Sequence, residues 1–133
     1  MIVAYIDGGA RGNPGPAGYG VRIERADGTL LDELSEPIGI ATNNVAEYKG
    51  LLAALRYAVD HEHRVVCVRS DSELLVRQIR GEYRVKSPGL QPLHREATRL
   101  AGLMDKVSFE HVRRELNVDA DRLANAAMDQ GQR

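Results

Sequence analysis

Four acidic residues, Asp7, Glu47, Asp71 and Asp121, stand where this chain could carry chemistry. The most informative of the four stretches is YIDGGARGNPGPAGYG, Tyr5 to Gly20. An apolar run (Ile2, Val3, Ala4, Tyr5, Ile6) that reads as a buried strand delivers Asp7 at its end. Glycine follows at 8, 9, 12, 15, 18 and 20. Glycine admits positive φ or a close backbone approach, so this carboxylate leaves the core beside a backbone that a bulky substrate could touch. Four carboxylates at one sheet edge repel one another unless cations neutralise them, and hard oxygen ligands suit Mg²⁺ or Mn²⁺. Two such ions about 3.5–4 Å apart can hold both the attacking and the leaving oxygen of a phosphodiester displacement.

Each acid also has a plainer reading. Asp7 could begin a turn. In Asn44-Val45-Ala46-Glu47, Asn44 could cap a helix and Glu47 close a capping-box-like pair. Asp71, after one apolar stretch and before Ser-Glu-Leu-Leu, could be the N-cap of the next helix. Asp121 sits in a first helical turn, where the dipole favours any acid, beside a stripe of Leu116, Ala120, Leu123 and Ala127. The joint pattern favours the metal reading over four separate structural ones.

The elements that must position these acids follow from periodicity. Strands are expected at about 2–7, 18–26 and 29–38, the first two joined by the Gly/Pro loop and the last two by Asp27-Gly28. A helix at about 44–61 shows an apolar face of Ala46, Leu51, Ala54, Leu55, Ala58 and Val59. A continuous apolar strand at about 64–70 is of the buried parallel kind. Helices at about 72–80, 91–103 and 118–129 and a strand at about 106–112 complete a βββαβααβα order. That order implies an α/β fold: a five-stranded mixed sheet with three antiparallel N-terminal strands, two further parallel strands, and helices on both faces. Ligands in such sheets sit at strand carboxyl ends near the switch in strand order, where Asp7 and Asp71 are expected.

The bulk numbers fit one domain over 1–133, with 43% hydrophobic and 28% charged residues. No run reaches the roughly 18 apolar residues of a membrane span. MIVAYID lacks the flanks of a signal peptide. A single cysteine, Cys67, excludes an internal disulfide and suits the cytoplasm, the expected location. A net charge of −1 sits oddly with a nucleic-acid partner, although bound cations would offset the acids. Basic residues cluster at Arg77, Arg80, Arg84 and Lys86 and again at Arg113, Arg114 and Arg122. His61 and His63 have no cysteine near them for a zinc site. The chain has neither a phosphate loop with Lys-Ser/Thr nor a nucleophile elbow. No exposed apolar heptad is apparent, and a monomer is expected.

DGGARGNPGPAGYG, TNNVAEYKGLLAAL, RSDSELLVRQIRGEYRVK and NVDADRLANAAMD resemble, in order and spacing, type 1 ribonuclease H. The resemblance spans essentially the whole chain. It is greatest to short bacterial and archaeal forms, including the domain fused to a phosphatase-like domain in actinobacteria. It implies the ribonuclease H-like fold and hydrolysis of the RNA strand of RNA–DNA hybrids, leaving 5′-phosphate and 3′-hydroxyl ends. The alternatives are a hybrid-binding module without activity, and broadened activity on double-stranded RNA. By resemblance Asp7, Glu47, Asp71 and Asp121 are the catalytic acids and the ligands of two Mg²⁺ ions, or Mn²⁺. Asp7 bridges the ions, Glu47 and Asp71 serve one, with Glu47 also near a ribose 2′-hydroxyl, and Asp121 serves the other. Asn13, Asn43 and Asn44, with the backbone of Gly8 and Gly9, contact the hybrid's minor groove, and Thr42 meets a DNA-strand phosphate. Asn13 could instead only start a turn, and Asn43 and Asn44 only cap the helix. GEYRVKSPGLQPL is too short for the basic, Trp-containing protrusion of many relatives, leaving Tyr83, Arg84 and Lys86 as substitutes. HVRREL has no His where many relatives carry one, and Arg114 falls at the matching position as the candidate for an auxiliary catalytic role.

Overall fold

The apolar run that opens the chain becomes the middle strand of a five-stranded sheet in a computed structural model, which describes residues 1–132. The strands are β1 (Ile2–Ala10), β2 (Gly15–Arg25), β3 (Leu30–Ala41), β4 (Val65–Ser70) and β5 (Lys106–His111), in the spatial order β3-β2-β1-β4-β5. β1–β2 and β2–β3 pair antiparallel, while β4 runs parallel to β1 and β5 parallel to β4. The helices are α1 (Asn43–Asp60), α2 (Glu73–Ile79), α3 (Gln91–Ala101) and α4 (Val118–Gly131), the last preceded by a 3₁₀ turn over Arg114–Leu116. This is the mixed sheet and the element order that the periodicity predicts.

Alternation along β1 sends Ile2, Ala4 and Ile6 to one face. They join Val21, Ile23, Val66 and Val68 against Tyr48, Leu51, Leu52 and Leu55 of α1, with Ala97 and Leu100 of α3 in the same cluster. α4 covers the opposite face of β2 and its neighbours with Ala120, Leu123, Ala124, Ala127 and Met128. The expected stripe is therefore corrected at its start: Leu116 belongs to the 3₁₀ turn and is 66% exposed. Among the described residues no helix is long and apolar enough to cross a membrane.

The Gly/Pro segment is also different from the loop expected. β1 and β2 continue through it as a ladder down to Ala10↔Ala17, and only the turn at its tip departs from strand. Of its glycines only Gly12 has a positive φ, +94°. The others serve close packing. A Cβ on Gly18 would lie 2.6 Å from the Cβ of Ala127, and one on Gly20 would lie 2.5 Å from the Ala120 carbonyl and the Ala124 amide. These two glycines let α4 rest directly on the β2 backbone.

Candidate active site

Asp7 lies within β1, not at its end. What ends there is the parallel half of the ladder: β1 and β4 pair as far as Ile6↔Ser70, and β1 then continues alone with β2. Where β4 stops, Asp71 follows at once. The sheet is split at this point, with Asp7 on one side of the split and Asp71 on the other, as expected of a ligand position in an open α/β sheet.

The helices bring the other two acids to Asp7 from opposite faces, and glycines set how closely. Gly20, the register partner of Asp7, lies under the Ala120–Ala124 turn that carries Asp121. On the other face, the position a Cβ would take on Gly8 is filled by Ala46 and the Glu47 amide, and Gly50 of α1 packs over the Asp7 carbonyl. Larger residues at 8, 20 or 50 would push α1 or α4 away, and Glu47 or Asp121 with it. The glycines are thus site residues in a sense the sequence reading missed. The signal was available: Gly18 and Gly20, two apart in a strand, share one face.

Two of the plainer readings fail on the helix caps. The N-cap of α1 is Thr42, whose Oγ1 accepts from the Val45 amide at 3.2 Å, so Asn44 is not the cap and Glu47 closes no capping pair. The N-cap of α2 is Ser72, whose Oγ accepts from the Leu75 amide at 3.2 Å, so Asp71 does not cap it. Asp121 does sit in the first turn of α4, and the dipole reading holds for it alongside any other.

The electrostatics show that the acids sense one another. Burial pushes Asp7 up to about 8, and the charges of Asp71 and Asp121 and a hydrogen bond with Asp121 add to the rise. Burial likewise pushes Glu47 up to about 7; a Ser72 hydrogen bond opposes this and the Asp71 charge reinforces it. A carboxylate raised by like charges is a site where positive charge is favourable. Among the described residues, no three His, Cys, Asp or Glu side chains close into a cage that could hold an ion unaided. Mg²⁺ does not require one, because it commonly takes one or two carboxylates and completes its shell with water and substrate phosphate. The oxygen-only donor set and the repulsion within it fit such an ion.

Around the acids, Asn13 and Asn43 are locked by their carbonyl oxygens. Asn13 Oδ1 accepts from the Asn43 amide at 3.1 Å, and Asn43 Oδ1 accepts from the Ala10 amide at 2.7 Å. Among the described residues neither side-chain NH₂ donates to a protein atom, so the structural role fixes the oxygens and leaves the donors available. Asn13, Thr42 and Asn44 line a hollow of about 350 Å³ closed on its far side by Ser87 and Gly89. In the direction a Cβ would take, Gly9 faces Met128 of α4 and Gly8 faces α1, and both glycines remain half-buried.

Tyr83 lines a separate hollow with Arg84, His94 and Arg95, and the Arg77 guanidinium lies 5.3 Å from its ring centre. Lys86 is exposed in the following loop. The basic cluster of the sequence is partly neutralised: Arg77 pairs with Glu73 and Glu82, Arg80 with Glu82, and Arg122 with Glu33 and Asp119. Arg84, Lys86, Arg113 and Arg114 make no ion pair among the described residues. Arg114 is exposed at the start of the 3₁₀ turn before α4. A hollow of about 560 Å³ between α1 and β3 is lined by none of the four candidate acids.

A protein-family model described as reverse transcriptase-like matches residues 5–127. The Bifunctional protein Rv2228c of Mycobacterium tuberculosis is 49% identical over 96% of this chain, which spans 35% of that relative. The N-terminal RNase H domain of that protein superposes with a TM-score of 0.95, covering 98% of this chain and 95% of the domain at 48% identity. Ribonuclease HI of Halobacterium salinarum is 42% identical over 96% of this chain, which spans 64% of its length. LC11-RNase H1, crystallised with an RNA/DNA hybrid, superposes with a TM-score of 0.94 over the full length of both chains at 42% identity. Matched along nearly its whole length in sequence and in fold, the chain belongs to the type 1 ribonuclease H family.

Proposed function

We propose that this chain hydrolyses the RNA strand of RNA–DNA hybrids, as an endonuclease that leaves 5′-phosphate and 3′-hydroxyl ends. The observation that carries the reading is that the buried Asp7 feels the charges of Asp71 and Asp121, and Glu47 that of Asp71, at the split in the sheet. Asp7 would be shared between two divalent cations, Glu47 and Asp71 would complete one position, and Asp121 the other. Bound Mg²⁺ or Mn²⁺ supplies charge neutralisation and an activated water for in-line displacement at phosphorus. The protein's part is to hold the carboxylates oriented toward one another, and to place the RNA strand over them.

Selection of the hybrid rests on shape and on the ribose 2′-hydroxyl. The free amide donors of Asn13 and Asn43 suit the acceptors of a minor groove, and Glu47 would accept from a 2′-hydroxyl. The Thr42 hydroxyl accepts from the Val45 amide and keeps its own proton to donate to a phosphate oxygen. Arg84, Lys86 and the Tyr83 ring would follow the DNA strand without a protrusion, and Arg114 would assist turnover beside Asp121. The hybrid seen with LC11-RNase H1 supports this choice of partner.

The test is cleavage of end-labelled hybrid, double-stranded RNA and single-stranded RNA with Mg²⁺, with Mn²⁺ and with chelator, beside Asp71→Asn. Metal-dependent cutting confined to the RNA strand of the hybrid, and lost in the variant, is the expected result. Binding of hybrid without cutting under any metal would reduce the chain to a binding module. Cutting of double-stranded RNA would broaden its specificity.

A further inference from the structure

We propose that Asn117 is a positioning residue that sets the spacing of Asp7 and Asp121. Its side-chain Nδ2 donates to the Ile6 carbonyl at 2.9 Å, one residue before Asp7. Its own carbonyl accepts from the Asp121 amide at 3.1 Å. One residue thus links the strand that carries the first acid to the helical turn that carries the last. The inference rests on the reading of the four acids as a metal site.

What Asn117 forgoes supports this role. It occupies the N-cap position of α4, where an Asn side chain ordinarily accepts from a backbone amide of the first turn. Here it makes no such bond, whereas Thr42 and Ser72 both cap their helices in that way. The side chain is instead turned inward, 1% exposed, and its Oδ1 is buried with no hydrogen-bond partner. The amide cannot be flipped to satisfy it, because the oxygen would then face the Ile6 carbonyl. The residue forgoes the local cap of its own helix for a buried bond to the strand that carries Asp7, and a local rule given up for a long-range link beside candidate ligands points to a positioning role.

The link is also specific to Asp121. α4 is held to the sheet at other places, by Ser35 Oγ donating to the Leu123 carbonyl at 2.7 Å and by Arg11 pairing with Asp129 at 2.9 Å. Those ties hold the helix to β3 and to the tip of the β1–β2 turn, not to the residue next to Asp7. Among the described residues, Asn117 is the residue whose hydrogen bonds join the turn that carries Asp121 to the residue next to Asp7. Groups that orient metal ligands from behind typically change metal affinity 10–100-fold when removed.

The experiment is calorimetric titration of the hybrid-free protein with Mn²⁺, for wild type, Asn117→Ala, Asn117→Ser and Ser35→Ala, with thermal unfolding of each. Asn117→Ala should weaken Mn²⁺ binding at least about 10-fold, and Ser35→Ala by less than about twofold. Asn117→Ser separates stability from positioning, since serine can cap α4 but is too short to hold the Ile6 carbonyl. It should unfold at a temperature at or above that of Asn117→Ala and still bind Mn²⁺ at least about 10-fold more weakly than wild type. Mn²⁺ binding by Asn117→Ser within twofold of wild type would overturn the proposal. Wild-type protein that binds no Mn²⁺ would instead sink the metal-site reading, and the role of Asn117 with it.

Discussion

Replacing Asp7 with Asn should end catalysis and make the metal-free protein more stable. The Asp7 carboxyl is raised from 3.8 to about 8 by burial and by Asp71 and Asp121. A raised carboxylate favours the fold fully below its unfolded pKa, and that contribution is lost as pH climbs through the folded one. At pH 7 the fold keeps a proton on Asp7 that the unfolded chain has released. At about 1.4 kcal/mol per pKa unit, the three units between the unfolded value and pH 7 amount to about 4 kcal/mol. Water reaches the exposed Asp121 and the carboxylates can spread apart, so about 1–3 kcal/mol should survive as a measurable difference. Glu47, raised to about 7, acts in the same direction. Asp27 and Glu96, both lowered by hydrogen bonds, change the balance only at more acid pH. The assay is urea unfolding in EDTA at pH 5, 7 and 9. Wild-type stability should fall across that range, and Asp7→Asn should fall less and exceed wild type at pH 9. Saturating Mg²⁺ should restore wild type and leave the variant nearly unchanged, by linkage. Wild-type stability that is flat or rises from pH 5 to 9, or a variant no more stable than wild type at pH 9 in EDTA, would refute the electrostatic account of the site.

Gly20→Ala should cost about 1–3 kcal/mol, because its Cβ meets α4 backbone at 2.5 Å, and cleavage should fall with the displaced Asp121. Gly28→Ala, in the β2–β3 turn at φ +89° with nothing within 4 Å of the new Cβ, should cost only about 1 kcal/mol and leave cleavage intact; chemical denaturation distinguishes the two. Arg114→Ala should lower kcat by about 10-fold with KM little changed; unaltered turnover would remove Arg114 from the mechanism. Arg84→Ala and Lys86→Ala should each weaken hybrid binding and flatten the dependence of log K on log salt by about 1. The same change at Arg80, already paired with Glu82, should do less.

The elements that period and turn chemistry control were legible in the chain. Apolar runs gave the strands, Asp27-Gly28 gave the hairpin, and the three to four residue spacing of Ala46 through Ala58 gave α1. Asn43 and Asn44 both read as caps of α1, and the backbone geometry instead makes Thr42 the cap. The stripe on α4 was extended one turn too far because Leu116 continues the helical period while its backbone forms a 3₁₀ turn. The basic cluster was overread because sequence counts charges and not their partners, although Glu73 and Arg77 at i, i+4 were a legible pair.

What sequence could not show is how the acids are brought together. Asp7, Glu47, Asp71 and Asp121 can be listed as candidates, but their meeting depends on α1 and α4 approaching β1 from opposite faces. That approach depends on absent side chains at Gly8, Gly20 and Gly50 and on one amide at Asn117. A missing Cβ has no periodicity, and in a glycine-rich segment it reads most readily as a flexible loop. Here the same glycines lie in regular strands and helix and act by closeness. The Tyr5–Gly20 segment therefore does its work in two ways: Asp7 supplies the chemistry, and the glycines around it decide whether Glu47 and Asp121 can reach it.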